Sequence, residues 1–281
     1  MKDRKSILVT GSKGFIGSHL VMNLRHSGYQ VQEWTGDIRT INTHKEPTDI
    51  VFHLAAVADP ERFRYNPAEC FDINVRGTLS TLEYCKAVGA RCIYTSTAGV
   101  YAGAGSNPGV QETSIACPNS HYATSKWLGE QLCQLEGEKG NMSSIILRLF
   151  NVYGPGQKQP FIIPYLLERL VSNQEIKLKT PNAIRDFVHV SDVVDSLVKS
   201  ANTSGTGCQI YNIGTGIPTT IVELATLCEE TIGMQGNIST ASPLSTEHAG
   251  VYADAKKANL NLGWAYQTSL EDGLRTVLRY N

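Results

Sequence analysis

The sequence lacks the features that mark membrane, secreted and nucleic-acid-binding proteins. Its 281 residues carry a formal net charge of −1, so no excess of positive charge draws the chain to nucleic acid or to an anionic membrane. No apolar stretch approaches the roughly 18 residues that a membrane-spanning helix needs. The charged residues 1–6 lead into an apolar run that is too short for a signal peptide. We therefore expect a cytoplasmic protein with neither a membrane nor a nucleic-acid partner.

The cysteines also lack a pattern. There are seven, an odd number, and no two of them form a Cys-x-x-Cys pair. A disulfide framework or a cysteine-based metal site would show regular spacings, so the sequence predicts neither. The chain has no internal repeat and no low-complexity segment. We expect reduced thiols and no bound metal.

What the chain does have is a glycine-rich turn directly after a short apolar strand. The run Ile-Leu-Val at 7–9 is followed by Thr-Gly-Ser-Lys-Gly-Phe-Ile-Gly at 10–17. Gly11 permits a tight turn, Gly14 lets the backbone approach a pyrophosphate, and Gly17 lets the next helix pack close to the sheet. The helix N-terminus offers free N–H groups and a positive dipole end to the phosphates. This turn predicts dinucleotide binding.

Strand-like and helix-like segments alternate in the first half of the chain. Strands are predicted at 7–10, 31–34, 49–54, 91–96 and 144–149, and helices at 19–26, 70–88 and 122–135. This alternation predicts an α/β fold with a Rossmann-type, doubly wound parallel sheet.

The pattern changes after residue 152. Gly154, Pro155 and Gly156 interrupt it, and shorter elements follow. We expect a smaller C-terminal α/β lobe that binds the substrate. The predicted dinucleotide-binding domain covers 1–152 plus about 187–213, and the predicted lobe covers 153–186 plus 214–281.

Tyr122 and Lys126 are candidate catalytic residues. On a helix, residues four apart lie on one face, one turn from each other. A tyrosine pKa lies near ~10, and a nearby ammonium favours the phenolate that acts as a base. Thr97 ends a predicted strand, where ligands bind open α/β sheets, and its hydroxyl could orient a reacting oxygen. Ser96 is the alternative for that role.

Together these features resemble the extended short-chain dehydrogenase/reductase family, also called the NAD-dependent epimerase/dehydratase family, whose members modify nucleotide sugars. The resemblance covers nearly the whole chain, and its motifs occur in family order. They lie at residues 10–17, 36–38, 53–56, 74–78, 95–101, 122–126, 148–155, 185–192, 211–216 and 262–264.

The resemblance implies a role for each matching residue. Tyr122 would be the acid/base, Lys126 would hold the nicotinamide ribose and lower the pKa of Tyr122, and Thr97 would contact the sugar oxygen. The implied cofactor is NAD, and the sequence leaves NADP open. The implied cofactor-binding residues are Gly11, Gly14, Phe15, Ile16, Gly17, Asp37, Ile38, Leu54, Ala55, Ala56, Asn74, Thr95, Tyr122 and Lys126. The implied substrate-binding residues are Ser96, Thr97, Tyr122, Asn151 and Arg185.

The chain departs from the family pattern in three places. Residue 35 is Thr where many NAD-using members carry an acid that holds the ribose 2′-hydroxyl. Glu33 could substitute for that acid, whereas Lys13 could meet a 2′-phosphate. The link from Trp34 to Asp37 is short, as in the sugar reductases of the family. The usual second arginine for the diphosphate, expected before residue 252, is absent.

The resemblance implies an NAD(P)-dependent nucleotide-sugar epimerase that acts at C4 through a transient 4-keto sugar. The alternative is an NAD(P)H-dependent 4-keto-sugar reductase or dehydrogenase. A 4,6-dehydratase is disfavoured because Ala98 and Gly99 stand where those enzymes carry Asp-Glu. A non-catalytic dinucleotide sensor is disfavoured because Tyr122 and Lys126 are both present. The family also implies a homodimer built on helices near 70–88 and 120–137.

Overall fold

The computed structural model describes residues 5–101, 109–140, 142–240 and 250–280. The strands in chain order are β1 (Ser6–Thr10), β2 (Gln30–Trp34), β3 (Ile50–His53), β4 (Arg91–Thr97), β5 (Gly109–Val110), β6 (Ser144–Leu149), β7 (Asn151–Tyr153), β8 (Ile176–Leu178), β9 (Ile184–Arg185), β10 (Phe187–His189), β11 (Cys208–Ile213), β12 (Thr219–Thr220), β13 (Ile238–Thr240) and β14 (Tyr252–Ala253). The α-helices are α1 (Phe15–His26), α2 (Pro60–Tyr65), α3 (Pro67–Phe71), α4 (Gly77–Val88), α5 (His121–Glu138), α6 (Ile162–Val171), α7 (Val190–Asn202), α8 (Ile221–Ile232), α9 (Lys256–Leu262) and α10 (Leu270–Tyr280).

Six strands form one parallel sheet in the order β11-β6-β4-β3-β1-β2. The register pairs Thr10 with His53 and with Trp34, so the carboxyl ends of β1, β2 and β3 meet at one edge. The strand order reverses direction between β1 and β3, and ligands of open α/β sheets bind outside the carboxyl ends of the strands at such a point. The glycine-rich turn follows β1 at this edge.

Helices cover both faces of the sheet. On one face, Leu20 and Leu24 of α1 and Val193 and Leu197 of α7 pack in a single core with the sheet residues. On the other face, α4 and α5 contribute Leu82, Tyr84, Cys85 and Cys133 to a second core. Burial on both faces explains why the central strands read as continuous apolar runs. This arrangement confirms the prediction of a Rossmann-type, doubly wound α/β fold.

A third core lies outside the large sheet. Helices α6, α8 and α10 pack there around strand β8, through residues such as Leu166, Leu224 and Leu274. Trp264 and Leu262 also belong to the C-terminal part of the chain, but they pack against the large sheet. The division of the chain into two domains at the residues given above stays a prediction.

The helix predicted at 70–88 is interrupted. A turn of π-helix, Asp72–Arg76, separates α3 from α4. Such turns insert one extra residue per turn, and they occur often at functional sites. Here the π-turn carries Asn74, which is one of the predicted site residues.

Within the described ranges, no helix has the length and apolar composition that crossing a bilayer requires.

Candidate active site

The glycine-rich turn forms a narrow cradle at the carboxyl end of β1. Gly11 has a φ of +68°, and a Cβ atom at this position would lie 2.7 Å from the Ala55 nitrogen. A Cβ on Gly17 would lie 2.1 Å from the Gly11 carbonyl oxygen, so α1 can begin this close to the turn only with glycine there. Neither position tolerates a side chain.

The cradle suits an anion. Helix α1 begins after Gly14, which has no side chain to cap the first N–H groups, and no acidic residue lies in the first turn. Phe15 and Ile16 follow, both partly buried, with the Phe15 ring 5.6 Å edge-on from that of His19. The first N–H groups of the helix therefore lack a side-chain acceptor from its own cap and can donate to a pyrophosphate.

Two of the predicted cofactor-binding residues, Asp37 and Ile38, are already held by other parts of the protein. The Asp37 carboxylate accepts hydrogen bonds from the Arg39 backbone and from its guanidinium, at 2.9 Å each, and this contact lowers the pKa of Asp37 to about 2. Ile38 is 6% exposed and packs on Gly77, where a Cβ would lie 2.6 Å from it. Arg39 and Asp37 are both exposed in part, so the Asp37 carboxylate stays close to the surface.

Leu54, Ala55 and Ala56 follow β3 and face the glycine-rich turn. Thr10 anchors them, because its carbonyl accepts from the Leu54 nitrogen and its hydroxyl from the Ala55 nitrogen. All three residues are partly exposed. They form the wall opposite α1.

Asn74 has a structural position. Its side-chain oxygen accepts from the Val57 nitrogen at 2.7 Å, and its amide donates to the Val57 carbonyl and to the Ser125 hydroxyl. Asn74 is 2% exposed. The π-turn thus ties the loop after β3 to helix α5. The polar atoms of the Asn74 side chain bond to the protein itself, so Asn74 positions this loop beside the predicted cofactor site.

Helix α5 carries the Tyr122–Lys126 pair at its first turns. Ser120 begins the helix by accepting a hydrogen bond from the Ala123 nitrogen. The Tyr122 ring lies edge-on to Phe63, with the ring centroids 6.1 Å apart. Both side chains come from the face of α5 that packs on the sheet and on the loop after β3.

The packing of α5 on β4 fixes Lys126. The Lys126 ammonium lies over the Tyr94 ring, 4.1 Å from its centroid. The Tyr94 hydroxyl donates to the Lys126 carbonyl. A Cβ atom on residue 129 would lie 2.2 Å from the oxygen of this hydroxyl. Glycine at 129 therefore lets the tyrosine pass beneath the helix. Neither Tyr94 nor Gly129 was among the predicted site residues, although Gly129 lies on the same helix only three residues after Lys126.

Burial opposes the charges that the pair needs. It raises the pKa of Tyr122 to about 12 and lowers the pKa of Lys126 to about 7. The lowering of the Tyr122 pKa by the Lys126 ammonium together with a positively charged nicotinamide stays a prediction for the site with its cofactor bound. Desolvation is the cause of the shift at Tyr122 and the largest cause of the shift at Lys126.

Thr97 ends β4 next to the start of α5. Its hydroxyl accepts from the Gly99 nitrogen at 3.1 Å, and a Cβ on Gly99 would lie 3.3 Å from the Ala123 Cβ and 3.4 Å from the Thr97 hydroxyl. Thr97 thus lies beside the residue that follows Tyr122. Small residues at 98 and 99 leave space next to its hydroxyl.

The two neighbours of Thr97 on the strand differ in their contacts. Ser96 is 3% exposed, and its hydroxyl has no hydrogen-bond partner in the described part of the chain. The Thr95 hydroxyl donates to the His53 carbonyl across β3 and β4. Ser96 therefore stays a candidate for substrate contact, while Thr95 joins the two strands.

Asn151 and Arg185 are brought together by a short strand pair. Phe187 of β10 pairs with Asn151 of β7, and the Asn151 amide donates to the Asp186 carbonyl at 3.2 Å. The Arg185 guanidinium donates to the Ile184 carbonyl at 2.7 Å, and burial lowers its pKa. Arg185 ends β9 and directly precedes Asp186, whose backbone carbonyl accepts from the Asn151 amide, so the two predicted substrate residues are neighbours through Asp186.

Asp186 holds this region together. Its carboxylate is fully buried and accepts from the nitrogens of Thr215, Gly216 and Ala253 and from the Thr215 hydroxyl. It was not among the predicted site residues. The signal that the sequence offers is its place inside the motif at residues 185–192, directly after Arg185.

A buried ion pair lies one turn below Lys126. Glu130 accepts from the Arg148 guanidinium, with a shortest distance of 2.6 Å, and the two side chains are 0% and 4% exposed. Arg148 also donates to the Tyr101 hydroxyl, which donates to Asn212. The network joins α5, β6, β11 and the segment after Thr97.

Among the described residues, no cluster of histidine, cysteine and acidic side chains is arranged to hold a metal ion.

Comparison with known proteins agrees with this geometry. Residues 7–214 match the model of the NAD dependent epimerase/dehydratase family. The chain is 31% identical to a putative UDP-glucose 4-epimerase of Methanocaldococcus jannaschii, over 98% of this chain and 97% of that protein. It is 30% identical to UDP-glucuronic acid decarboxylase 1 of Xenopus tropicalis, over 99% of this chain and 72% of that protein. The solved structure of MoeE5 in complex with UDP-glucuronic acid and NAD superimposes with a TM-score of 0.90 at 30% identity, covering 98% of both chains.

Proposed function

The chain belongs to the NAD-dependent epimerase/dehydratase family, an NAD-using family of nucleotide-sugar enzymes, and we propose that it is a nucleotide-sugar 4-epimerase. The uncapped α1 N-terminus and the glycine cradle fit a dinucleotide, because a side chain at Gly11 or Gly17 would close the space between turn and helix. We propose nucleoside-diphosphate sugars as the substrates, with UDP-hexoses as the first to be tried.

One observation carries the proposal. Tyr122 and Lys126 lie on the face of α5 against β4, and Thr97 ends that same strand beside Ala123. The hydroxyl, the phenol and the ammonium thus come from two elements that are in contact, β4 and α5. This set can hold one sugar oxygen and move its proton.

In the proposed reaction, Tyr122 takes the proton of the C4 hydroxyl while C4 is oxidised to a ketone. The glycine turn and the N-terminus of α1 would hold NAD, which when bound would supply the hydride acceptor for the oxidation and the hydride donor for the return step. Thr97 donates a hydrogen bond to the oxygen and keeps it next to Tyr122 in both directions. After the 4-keto sugar turns over, Tyr122 returns the proton to the new C4 hydroxyl.

Lys126 supports the proton transfer by its charge. A phenol whose pKa lies at about 12 is a poor base near neutral pH, so positive charge close to the phenolate has to favour the ionised form. The Lys126 ammonium contributes when protonated, and an oxidised nicotinamide ring carries the same sign. Tyr122 is therefore a better base when NAD is bound beside the Tyr122–Lys126 pair.

The absence of carboxyl groups beside Thr97 favours this reaction over water elimination. Ala98 and Gly99 follow Thr97, and neither can donate or accept a proton through its side chain. A dehydratase needs an acid and a base at the reacting carbons.

Asn151 and Arg185 are proposed to hold the diphosphate-sugar, since a guanidinium offers paired donors to phosphate oxygens.

A 4-keto-sugar reductase is the second candidate, and the loop after β2 favours it. The Trp34 ring nitrogen donates to the Asp37 carbonyl at 3.2 Å, and Gly36 packs on the Trp34 ring. The segment from Trp34 to Asp37 is therefore a tight turn, as its short length predicts. The same three catalytic groups would then support one net reduction. Consumption of cofactor separates the two reactions.

We further propose a cytoplasmic homodimer. All seven cysteines are free, which suits a reducing compartment. Leu79 of α4 and Leu135 of α5 are 39% and 46% exposed, and the two helices pack side by side on the same face of the sheet. A second copy could cover both leucines.

The test is to incubate the protein and NAD with UDP-glucose, UDP-galactose and UDP-glucuronic acid in turn. We expect a 4-epimer of one of them, with no net formation of NADH. Tyr122→Phe should lower the rate by roughly 10²-fold or more, because it removes the acid/base group. Tyr280→Phe, which changes an exposed tyrosine on α10, should have no effect.

Two outcomes would contradict the proposal. One-for-one oxidation of NADH or NADPH with a 4-keto sugar would establish the reductase. Release of carbon dioxide from UDP-glucuronic acid, with a UDP-pentose as product, would establish a decarboxylase.

A further inference from the structure

The Lys126 ammonium is buried against the face of an aromatic ring. Lys126 is 3% exposed, and its ammonium lies 4.1 Å from the centroid of the Tyr94 ring, which is itself fully buried. The face of an aromatic ring is its negative side, so it attracts a cation, and the attraction is largest where water is excluded. The Tyr94 ring is therefore a binding partner of the ammonium as well as a part of the core.

The same tyrosine also binds the backbone of Lys126. The Tyr94 hydroxyl donates to the Lys126 carbonyl at 3.2 Å. A Cβ atom on residue 129 would lie 2.2 Å from the oxygen of that hydroxyl and 2.7 Å from the ring carbon that carries it. Because Gly129 leaves this room, the ring reaches both the carbonyl and the ammonium of one lysine. Tyr94 thus fixes Lys126 at its backbone and at the end of its side chain.

His53 supports the Tyr94 ring from the neighbouring strand. His53 of β3 pairs with Tyr94 of β4, and the two ring centroids lie 5.6 Å apart with the planes tilted by 31°. The Thr10 hydroxyl lies 2.9 Å from Nδ1 of His53, and the Thr78 hydroxyl lies 3.0 Å from Nε2. Burial, and then the charge of Lys126, lower the pKa of His53 to about 3. His53 is therefore neutral, and it adds no second positive charge beside the ammonium.

The other titratable groups around Lys126 do not provide it with a counter-ion. The Glu130 carboxylate, one turn later on α5, is paired with the Arg148 guanidinium at 2.6 Å. The thiols of Cys92 and Cys133 act on the charge of Lys126, and both are fully buried, which keeps them neutral. Within the described part of the chain, Lys126 forms no ion pair, and the Tyr94 ring is the group that its ammonium contacts.

We propose that Tyr94 is a positioning residue that takes the place of a counter-ion, because its ring holds the Lys126 ammonium without neutralising it. A carboxylate at the same place would also hold the lysine, but its negative charge would oppose the phenolate of Tyr122. A neutral ring leaves the positive charge available to that phenolate. The inference rests on the proposed function, in which the charge of Lys126 favours ionisation of Tyr122.

The experiment follows the titration of Lys126 by NMR in the ligand-free protein, with an isotopic label on the lysine Cε atoms. Lys126→Met identifies the signal, because that variant lacks it. The pKa of Lys126 in the wild type should lie at about 7. Tyr94→Leu removes the ring and should lower this pKa by about one pH unit, because the ring favours the charged lysine. Tyr94→Phe keeps the ring and should leave the pKa unchanged.

A fluorinated ring separates the effect of charge from the effect of packing. The Tyr94→Phe protein is made a second time with ring-trifluorinated phenylalanine at residue 94 only. Fluorine withdraws electron density from the face of the ring while its shape stays nearly the same, so the pKa of Lys126 should fall below that in Tyr94→Phe.

The matched control is Tyr84→Leu. Tyr84 is fully buried in the same core as Tyr94, and its hydroxyl also donates to a backbone carbonyl, that of Glu46. The variant removes an equally large ring from this core, so it should destabilise the protein as Tyr94→Leu does. The pKa of Lys126 should not change.

Two results would overturn the inference. In one, Lys126 has the same pKa with the fluorinated ring as in Tyr94→Phe. In the other, Tyr84→Leu changes the pKa of Lys126 as much as Tyr94→Leu does. If Tyr94→Leu does not fold, the fluorinated ring decides, since it leaves no cavity. The titration needs no sugar, so a protein that converts no nucleotide sugar would contradict only the proposed reaction.

Discussion

At the scale of single residues, burial shifts the pKa values of the two proposed catalytic residues, Tyr122 and Lys126. The pKa of Tyr122 lies at about 12 and that of Lys126 at about 7, so neither group carries its full charge at neutral pH in the ligand-free protein. The sequence predicted both residues and their spacing correctly as neighbours on a helix. It could not predict the direction of the pKa shift of Tyr122, because desolvation depends on Phe63, Tyr94 and other residues distant along the chain.

The depressed pKa of Lys126 predicts a pH-dependent stability. An unfolded lysine has a pKa of about 10.4, so between about pH 7 and pH 10 the unfolded chain binds a proton that the folded protein does not. Stability should therefore rise with pH across this window. Lys126→Met should stabilise the ligand-free protein at about pH 6.5 by roughly 3 kcal/mol more than at about pH 9.5.

Urea unfolding at the two pH values measures this difference. Lys177→Met is the control, since it removes an exposed ammonium. Equal effects of Lys126→Met at both pH values would contradict the assignment of the low pKa to Lys126.

At the scale of elements, the contact between α5 and β4 determines where the proposed catalytic groups lie. The Tyr94 hydroxyl occupies the space that a side chain at 129 would need and donates to the Lys126 carbonyl. The strand and helix were both predicted, at 91–96 and 122–135, and the structure has them as β4 and α5 within a few residues. The π-turn that holds Asn74 was not predicted, because helical periodicity alone does not reveal an inserted residue.

The close approach of α5 and β4 predicts the effect of adding one methyl group. Gly129→Ala would place a Cβ 2.2 Å from the Tyr94 hydroxyl, and Tyr94 is fully buried and cannot move away freely. We expect a loss of about 1–3 kcal/mol in the free energy of unfolding and a lower rate of catalysis, because α5 carries Tyr122 and Lys126.

The matched control for this change is Gly205→Ala, where a Cβ would meet no atom within 4 Å. Denaturant unfolding of both variants checks the prediction. A Gly129→Ala protein as stable and as active as the control would show that the helix can shift on the strand without consequence.

At the scale of the whole molecule, the parallel sheet collects residues that are far apart in sequence at one edge. The glycine turn, Thr97 and the Tyr122–Lys126 pair were predictable because each is a local motif at the end of a strand or on a helix face. Contacts between distant segments were not, such as Asp186 with Ala253 and Glu130 with Arg148. They depend on how loops and strands meet in three dimensions.

The exposed leucines of α4 and α5 predict a dimer. Burying Leu79 and Leu135 against a second copy removes apolar surface from water. Sedimentation should show two chains for the wild type and one for Leu135→Arg, because a buried arginine would lose its hydration. Leu260→Arg on α9, at a residue 81% exposed, is the control, and a monomeric wild type would contradict the prediction.

The most direct test of a reversible oxidation at C4 uses a UDP-sugar substrate deuterated at that carbon. We expect the 4-epimer formed in the presence of unlabelled NAD to keep its deuterium at C4, because hydride leaves and returns at the same carbon within one site. Loss of the deuterium to solvent, or its accumulation in free cofactor as substrate is consumed, would contradict the proposal that Tyr122, Lys126 and Thr97 support a reversible oxidation at C4.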